Sequence, residues 1–455
     1  MRKLSFLYFI LVSMIYSCKP KEISKTHLIV LDPQHFHAAL VQKYSNPLID
    51  SNVKVFSSAE DLTKGYRNFI HQYNTRLESP TNWNLRTYYG HDYLSKAFED
   101  SPGDLVILAG DNQAKINYIT AAFKNKKDVF ADKPLVIDEE GFRRLNNLMT
   151  TSESSPLIYD IMTERYDIKN QIVKTLVLDS AFSGGFDIPS KDPLITFQSI
   201  HHFVKHVGGQ PLIRPSMFFD VEKQGEGLVD VTTHYIDLVQ WIVSSEKEID
   251  IDRDLILHHA SRSSTRVSLQ DFTKATGLNK FPDDFEHKLN GSNSLDVYSN
   301  GVMEYTLHGI PVRIDVKWEV ESKDGAGDLY VVKFRTRKFD LSIRPDKNGI
   351  SSIYIKEHEE THDFQQRLKQ ILANILSKGE IELIKEGDSY KLVIPTAMNR
   401  SHDDHFSEVL QQFLIYRRDG SLPNWEKSFL LAKYYLTTKS LKKAMLNKSD
   451  SNPNY

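Results

Sequence analysis

The residues best placed to do chemistry lie in Gly225–Trp241, GEGLVDVTTHYIDLVQW. Asp230, His234, Asp237 and Trp241 recur at i, i+4, i+7 and i+11, one stripe of a helix. Val231, Ile236, Leu238, Val239 and Ile242 surround that stripe and predict a mostly buried helix. Two acids and a histidine in such a setting are costly unless paired or functional. Two readings stay open: a proton-transfer set, or a satisfied His–Asp pair with the second acid paired elsewhere. A second stretch is Asp128–Ile137, DVFADKPLVI, where Asp132-Lys133-Pro134 follows an apolar strand. Open α/β folds place ligands at that carboxyl edge, although a lysine there can equally be a solvated loop charge. In the third, Leu108–Lys115 (LAGDNQAK), Gly110, Asp111 and Asn112 open a helix. Backbone N–H groups at such a point can hold a cofactor or phosphate; a plain helix cap is the alternative.

The elements that must position these residues alternate. His27–Leu31, Val53–Phe56, Asp104–Ala109 and Asp128–Ala131 read as strands, with helices over Ile116–Phe123 and Glu139–Met149 between or after them. Residues 60–100 are polar and aromatic and read as helices with a long loop. This predicts a doubly wound, Rossmann-like α/β domain over 26–160. From 161 to 445 the pattern becomes α+β, with an open, mainly antiparallel sheet. Val312–Val320 alternates apolar and polar residues, as a half-buried strand does. Tyr330–Phe334, Phe339–Ile343, Ser352–Ile355 and Tyr390–Ile394 add strands, and Asp324–Gly327 supplies the turn of a hairpin. Helices over Phe406–Tyr416 and Trp425–Lys443 precede a polar tail at 446–455.

Composition narrows the function classes. At 455 residues the chain is long enough for two domains. Lys and Arg total 57 against 60 Asp and Glu, so no general attraction to nucleic acid follows. One cysteine, Cys18, excludes an intrachain disulfide and a cysteine-cluster metal site. His201, His202 and His206 contain the i, i+4 spacing of two ligands on one helix, and His402-Asp403-Asp404-His405 is a second dense set. Neither shows a third ligand in a closed geometry, so no metal is expected. Arg2 and Lys3 precede an apolar run, Leu4–Tyr16, that ends in Ser17-Cys18. That run is shorter than the roughly 20 apolar residues of a membrane span. Residues 1–18 resemble a bacterial lipoprotein signal, which makes Cys18 the lipidated first mature residue and 19–25 a tether. The expected location is extracytoplasmic, with membrane contact only through that lipid anchor.

Taken together the chain resembles the Gfo/Idh/MocA family, the glucose–fructose oxidoreductase and inositol dehydrogenase group, across Thr26–Ala444. Asp132-Lys133-Pro134 resembles its Glu-Lys-Pro signature, and Ala109-Gly110-Asp111-Asn112 its Ala-Thr-Pro-Asn motif. Gly225 through Asp237 resembles its Gly-Gly-x-Leu-x-Asp-x-x-x-His-x-x-Asp helix, with Glu226 in place of the second glycine. Thr163-Glu164-Arg165-Tyr166 resembles its Arg-aromatic segment, and Leu422–Tyr435 the end of a subgroup with an oxidoreductase C-terminal domain.

The resemblance implies hydride transfer between a secondary alcohol of a sugar-like molecule and the nicotinamide of NAD or NADP, tightly bound because free cofactor is scarce outside the cytoplasm. It makes His234 the base, Lys133 the group that polarises the reacting oxygen, and Asp230 the residue that orients the imidazole or binds a neighbouring hydroxyl. Arg165, Asp237 and His202 are then on the substrate side. Pro33, Gln34, His35, Phe36, His37, Ser57, Gly110, Asp111, Asn112 and Lys133 are the cofactor-binding candidates. A homo-oligomer through the second sheet is also expected. Two further readings are a glycoside-cleaving enzyme that recycles bound NAD(P), and a cofactor-free carbohydrate-binding protein on the same fold. The chain departs from the family at the first turn. Leu31-Asp32-Pro33-Gln34-His35-Phe36-His37-Ala38 has none of the glycines of Gly-x-Gly-x-x-Gly, and Ser57-Ser58 stands where an acid is expected after the second strand.

Overall fold

The computed structural model describes residues 25–99, 105–151, 155–207, 210–322, 327–359, 361–375 and 381–447. The lipoprotein signal with Cys18, most of the tether, and the turn residues 324–326 lie outside them. Among the described residues no helix is long and apolar enough to cross a membrane.

The first domain is a parallel sheet of β1 (Thr26–Leu31), β2 (Ile49–Ser57), β3 (Asn84–Tyr89), β4 (Leu105–Leu108), β5 (Asp128–Ala131) and β6 (Ile158–Asp160). Its order is β3-β2-β1-β4-β5-β6, so the strand order reverses between β1 and β4. A ligand crevice is expected outside the carboxyl ends at that point. All four residues of β4 are buried, which is why it reads as an unbroken apolar run. The helices are α1 (His37–Leu40), α2 (Lys64–Thr75), α3 (Tyr93–Glu99), α4 (Asn112–Lys124) and α5 (Glu139–Thr150). β3 falls in the segment read as helix and loop. It is an edge strand with a mostly solvated NLRTYY sequence, so no apolar run marks it.

The second domain begins with α6 (Ile168–Leu178) and α7 (Ser180–Ser183). Strand β7 (Ile195–Val204) and a short ladder of β8 (His206–Val207) with β9 (Gln210–Pro211) follow. Next come α8 (Val221–Gln224), α9 (Thr232–Val243), α10 (Ile251–Asp254), β10 (Leu255–Val267), α11 (Leu269–Thr276), β11 (Leu295–Leu307) and β12 (Ile310–Glu321). β13 (Leu329–Arg335), β14 (Phe339–Pro345), β15 (Ser351–Glu357), α12 (Phe364–Ile375), β16 (Glu382–Glu386) and β17 (Ser389–Val393) complete a nine-stranded sheet. Its order is β10-β11-β12-β7-β13-β14-β15-β17-β16, antiparallel except where β12 runs parallel to β7. Two expectations are corrected here. β12 and β13 do not form a hairpin, because β7 inserts between them and pairs with both. His201 and His202 lie on that strand rather than on a helix, so His202 and His206 are not stacked one turn apart.

The chain then returns to the first domain through α13 (His402–Asp419) and α14 (Asn424–Leu446). α1 is only four residues long. The sheet face beside it is closed by Phe406, Val409, Leu410 and Phe413 of α13, all buried in one cluster with β1, β2 and β4 residues. Phe413 stacks on Phe130 of β5 and Tyr159 of β6, with centroids 5.2 and 5.4 Å apart. Leu430, Leu431 and Tyr434 of α14 fill the opposite face. A helix from the end of the chain supplies the cover that a short first crossover omits.

Candidate active site

Lys133 follows β5, joined to Pro134 by a cis peptide bond. The backbone of Asp132 still donates to Leu108 O of β4 at 2.7 Å, so the sheet fixes the segment. Lys133 Nζ reaches Asp230 Oδ1 of the second domain at 2.5 Å, both side chains being largely buried. Below it Lys115 is fully enclosed and donates to Asn112 Oδ1 at 2.6 Å, Asp132 O at 2.8 Å and Pro134 O at 2.9 Å. Burial, offset in part by Asp132 and reinforced by the charge of Lys133, lowers the Lys115 pKa to about 8.

Asp230 sits in a turn ahead of α9 because two glycines bring the chain there. Gly225 has φ 93°, in the left-handed region. A Cβ on Gly227 would stand 1.9 Å from Ser299 O of β11, so only glycine allows that approach. Glu226 between them pairs with Arg262 of β10. The predicted stripe is therefore interrupted: α9 starts at Thr232, and Asp230 turns to Lys133 rather than to the His234 ring.

His234 is the least buried residue of Thr232–Gln240. Its Nδ1 is nonetheless enclosed and has no hydrogen-bond partner. Desolvation, then the charge of Lys133 and the proximity of His402, push its pKa well below 6.5, against weaker pulls from Asp132 and Asp237. The ring is thus a neutral base within the electrostatic reach of Lys133, His402 and Asp132. His402, at the start of α13, contacts Thr163 Oγ1 through Nε2 at 3.2 Å.

Arg165 and Asp237 are engaged in a buried ion network. Arg165 gives Nε and Nη2 to Asp237 at 2.7 Å each and Nη1 to Glu426 at 2.8 and 2.9 Å. Lys433 bridges Asp237 at 2.9 Å and Asp160 at 2.7 Å. Burial raises the Asp237 pKa, but Arg165 and Lys433 outweigh it and hold the carboxyl at about 2. This buried ion network joins β6, the Glu164–Tyr166 turn, α9 and α14. It fixes α9, and with it His234 three residues before Asp237. His202 lies on β7 and contacts Asp328, with Nδ1 3.4 Å from Oδ1. A cleft beside Asp230 is walled by Phe203, Phe218 and Trp318.

The first turn is filled. Asp32, at φ 45°, holds a backbone conformation that favours glycine. Its buried carboxylate accepts from Ser57 Oγ at 2.7 Å, Gln34 Nε2 at 2.7 Å and Tyr118 Oη at 3.2 Å. Pro33 has no N–H, Gln34 N donates to Asp32 O at 2.8 Å, and His35 N to Ala109 O at 3.1 Å. A Cβ on Gly110 would stand 2.6 Å from Asp32 O, so Gly110 serves packing. Asp111 caps α4 by accepting from Ala114 N, and Asn112 gives its amide to Gln224 O at 2.7 Å. Phe36 is exposed at the turn's edge. His37 Nδ1 meets Asp132 Oδ2 at 2.9 Å, and His35 Nδ1 is 3.4 Å from the same atom. The sequence reading singled out neither Asp32 nor Lys115, and it took Asp132 only as a motif letter. Their roles come from partners up to 95 residues away in sequence.

Residues 174–445 match the family described as "Putative oxidoreductase C terminal domain". A "putative oxidoreductase" from Parabacteroides merdae is 34% identical, with a TM-score of 0.88 over 93% of this chain and 98% of that one. GenD2 from gentamicin A biosynthesis, in complex with NAD, is 12% identical, with a TM-score of 0.57 over 94% and 96%. A variant of the 3-ketoreductase KijD10 from Actinomadura kijaniata, with TDP-benzene and NADP, is 14% identical, with a TM-score of 0.55 over 92% and 98%. These last two share the fold. No curated protein matches the chain.

Proposed function

The chain belongs to the oxidoreductase family defined by that C-terminal domain, and on that premise we propose that it interconverts a secondary alcohol and a ketone on a sugar-like substrate. The observation that carries this reading is the pairing of Lys133 with Asp230 beside a neutral His234 whose Nδ1 has no partner. Removal of a hydroxyl proton needs a base with a free lone pair, which neutral imidazole supplies. His234 accepts that proton, and Lys133 donates a hydrogen bond to the oxygen as negative charge develops on it. Asp230 holds the ammonium in place.

The folds of GenD2 and KijD10, with NAD and NADP in their structures, make a nicotinamide the first hydride partner to test. The first turn does not fit the usual seat of such a dinucleotide. A diphosphate takes free backbone N–H groups there, whereas Pro33 has none and those of Gln34 and His35 are engaged. The Asp32 carboxylate adds negative charge at the same point. No hydride step is therefore derived from these residues. We carry the lipid anchor at Cys18 and an extracytoplasmic location into the same proposal. The test is native mass spectrometry for NAD or NADP, with polyol and ketose turnover by wild type and His234→Ala. Turnover lost in a folded His234→Ala supports the reading, and unchanged turnover removes His234 from it.

A further inference from the structure

Side chains of the glycine-free first turn converge on one point. His35 and His37 come from the turn after β1, and Asp132 from the end of β5, so the three span the crevice over β4. Their ligand-type atoms all lie within 4.8 Å of one another. We propose that His35 Nδ1, His37 Nδ1 and Asp132 Oδ2 form a three-donor site for a divalent transition-metal ion of the zinc type. This goes beyond the alcohol–ketone reading and does not depend on it.

The separations suit a metal. Zinc–nitrogen and zinc–oxygen bonds of about 2.0–2.1 Å in a tetrahedron put neighbouring ligand atoms roughly 3.3 Å apart. Asp132 Oδ2 stands 2.9 Å from one histidine nitrogen and 3.4 Å from the other. The His35 and His37 rings meet edge to face with centroids 4.1 Å apart, and all three ligand atoms lie within 4.8 Å of one another.

The protein donor set is also left incomplete without an ion. His35 Nδ1 is buried and makes no hydrogen bond. Such an orphaned atom needs an explanation, and a cation facing the three lone pairs supplies one. Supporting contacts orient the donors, as they do around metal ligands generally. Asp132 Oδ1 accepts from Lys133 N at 2.9 Å, and the His37 ring packs on Phe406 with centroids 4.8 Å apart.

Neither neighbouring ammonium is free to take the place of the ion. Lys133 is held by Asp230, and Lys115 by Asn112 and two carbonyls. Three protein donors leave a fourth position open, as catalytic zinc sites do. That position takes water or an oxygen of a polyol or carbonyl ligand, which the ion polarises as a Lewis acid.

The experiment uses the purified chain stripped with a chelator and titrated with Zn²⁺ and Co²⁺. Elemental analysis after desalting should give one equivalent per chain. Bound Co²⁺ should show the visible absorption of a low-coordinate nitrogen and oxygen site. His37→Ala and Asp132→Asn should each weaken binding at least tenfold, while His71→Ala, at an exposed position on α2, should bind as wild type. Thermal midpoints without metal check that each variant is folded, and added zinc should raise the midpoints of wild type and His71→Ala but not those of His37→Ala and Asp132→Asn. Absence of stoichiometric binding in wild type overturns the proposal, as does unchanged binding in folded His37→Ala and Asp132→Asn. His234→Ala should keep its metal, so loss of turnover there with metal retained separates failure of this proposal from failure of the alcohol–ketone reading.

Discussion

Replacing Arg165 with methionine tests whether the acid-rich core between the domains is structural or touches substrate. The side chain makes four hydrogen bonds of 2.7–2.9 Å, two to Asp237 and two to Glu426. Without it Asp237 keeps Lys433 at 2.9 Å, but Glu426 keeps only the hydroxyls of Tyr159 at 3.0 Å and Tyr416 at 3.3 Å. A buried carboxylate stripped of its cation typically costs about 3–5 kcal/mol. Thermal unfolding of Arg165→Met should therefore fall by several degrees. Adding Glu426→Gln removes the stranded charge and should restore part of the loss. Acid titration gives a second readout. The Asp237 carboxyl, held near 2 against an ordinary 3.8, contributes about 2 kcal/mol that is present above pH 3.8 and lost as pH falls toward 2. In Arg165→Met part of that contribution goes, so acid unfolding should begin at higher pH. A variant with wild-type thermal and acid stability and a raised KM would refute the network argument and return Arg165 to the substrate side.

Two other perturbations follow from the same contacts. The Lys133 charge is one of the causes that depress the His234 pKa. His234 must be neutral to accept a proton, so activity is lost as pH falls through its pKa. Lys133→Met removes the ammonium and leaves Asp230 unpaired, and both changes favour protonated His234; the acid limb of kcat/KM should move up by about one unit, and an unmoved limb counts against His234 as the base. Phe413→Ala removes a fully buried ring that stacks between Phe130 and Tyr159. It should cost about 3–5 kcal/mol in urea unfolding, whereas a loss below about 1 kcal/mol would mean that α13 is not part of the first core.

Which features were legible in the sequence follows from how local their causes are. β4 and β5 are buried on both faces, so their apolar runs suffice. β3 is an edge strand whose pairing comes from β2 and not from its own pattern. Lys133 at a strand end and His234 on a helix were placed by local pattern, while their roles came from the family resemblance alone. Asp230 was found but given the wrong neighbour: the helical period extends back from α9, yet Gly227 must pass against Ser299, and that turn aims the carboxylate at Lys133. The partners of Arg165 and Asp237 could not be named from the sequence because Glu426 and Lys433 stand 261 and 196 residues later in the chain.

The first turn shows how a missing motif can be informative. Glycines in that turn leave space and N–H groups for a diphosphate, and their absence reads at first as simple loss. Here the space is occupied by an ordered set of polar groups. Asp32 takes three side-chain donors, Gly110 packs against its carbonyl, and His35 and His37 lean across β4 to Asp132. Loss alone does not require His35 and His37 to converge on one carboxylate oxygen. Nor does it explain why α13 presents Phe406 and His402 to the same ring, with centroids 4.8 and 6.1 Å from His37. The long return of the chain that closes the first core therefore also builds one wall of the crevice. Within this ordered turn His35 Nδ1 alone is left without a hydrogen bond beside a second imidazole and a carboxylate, and that gap is what a cation would fill.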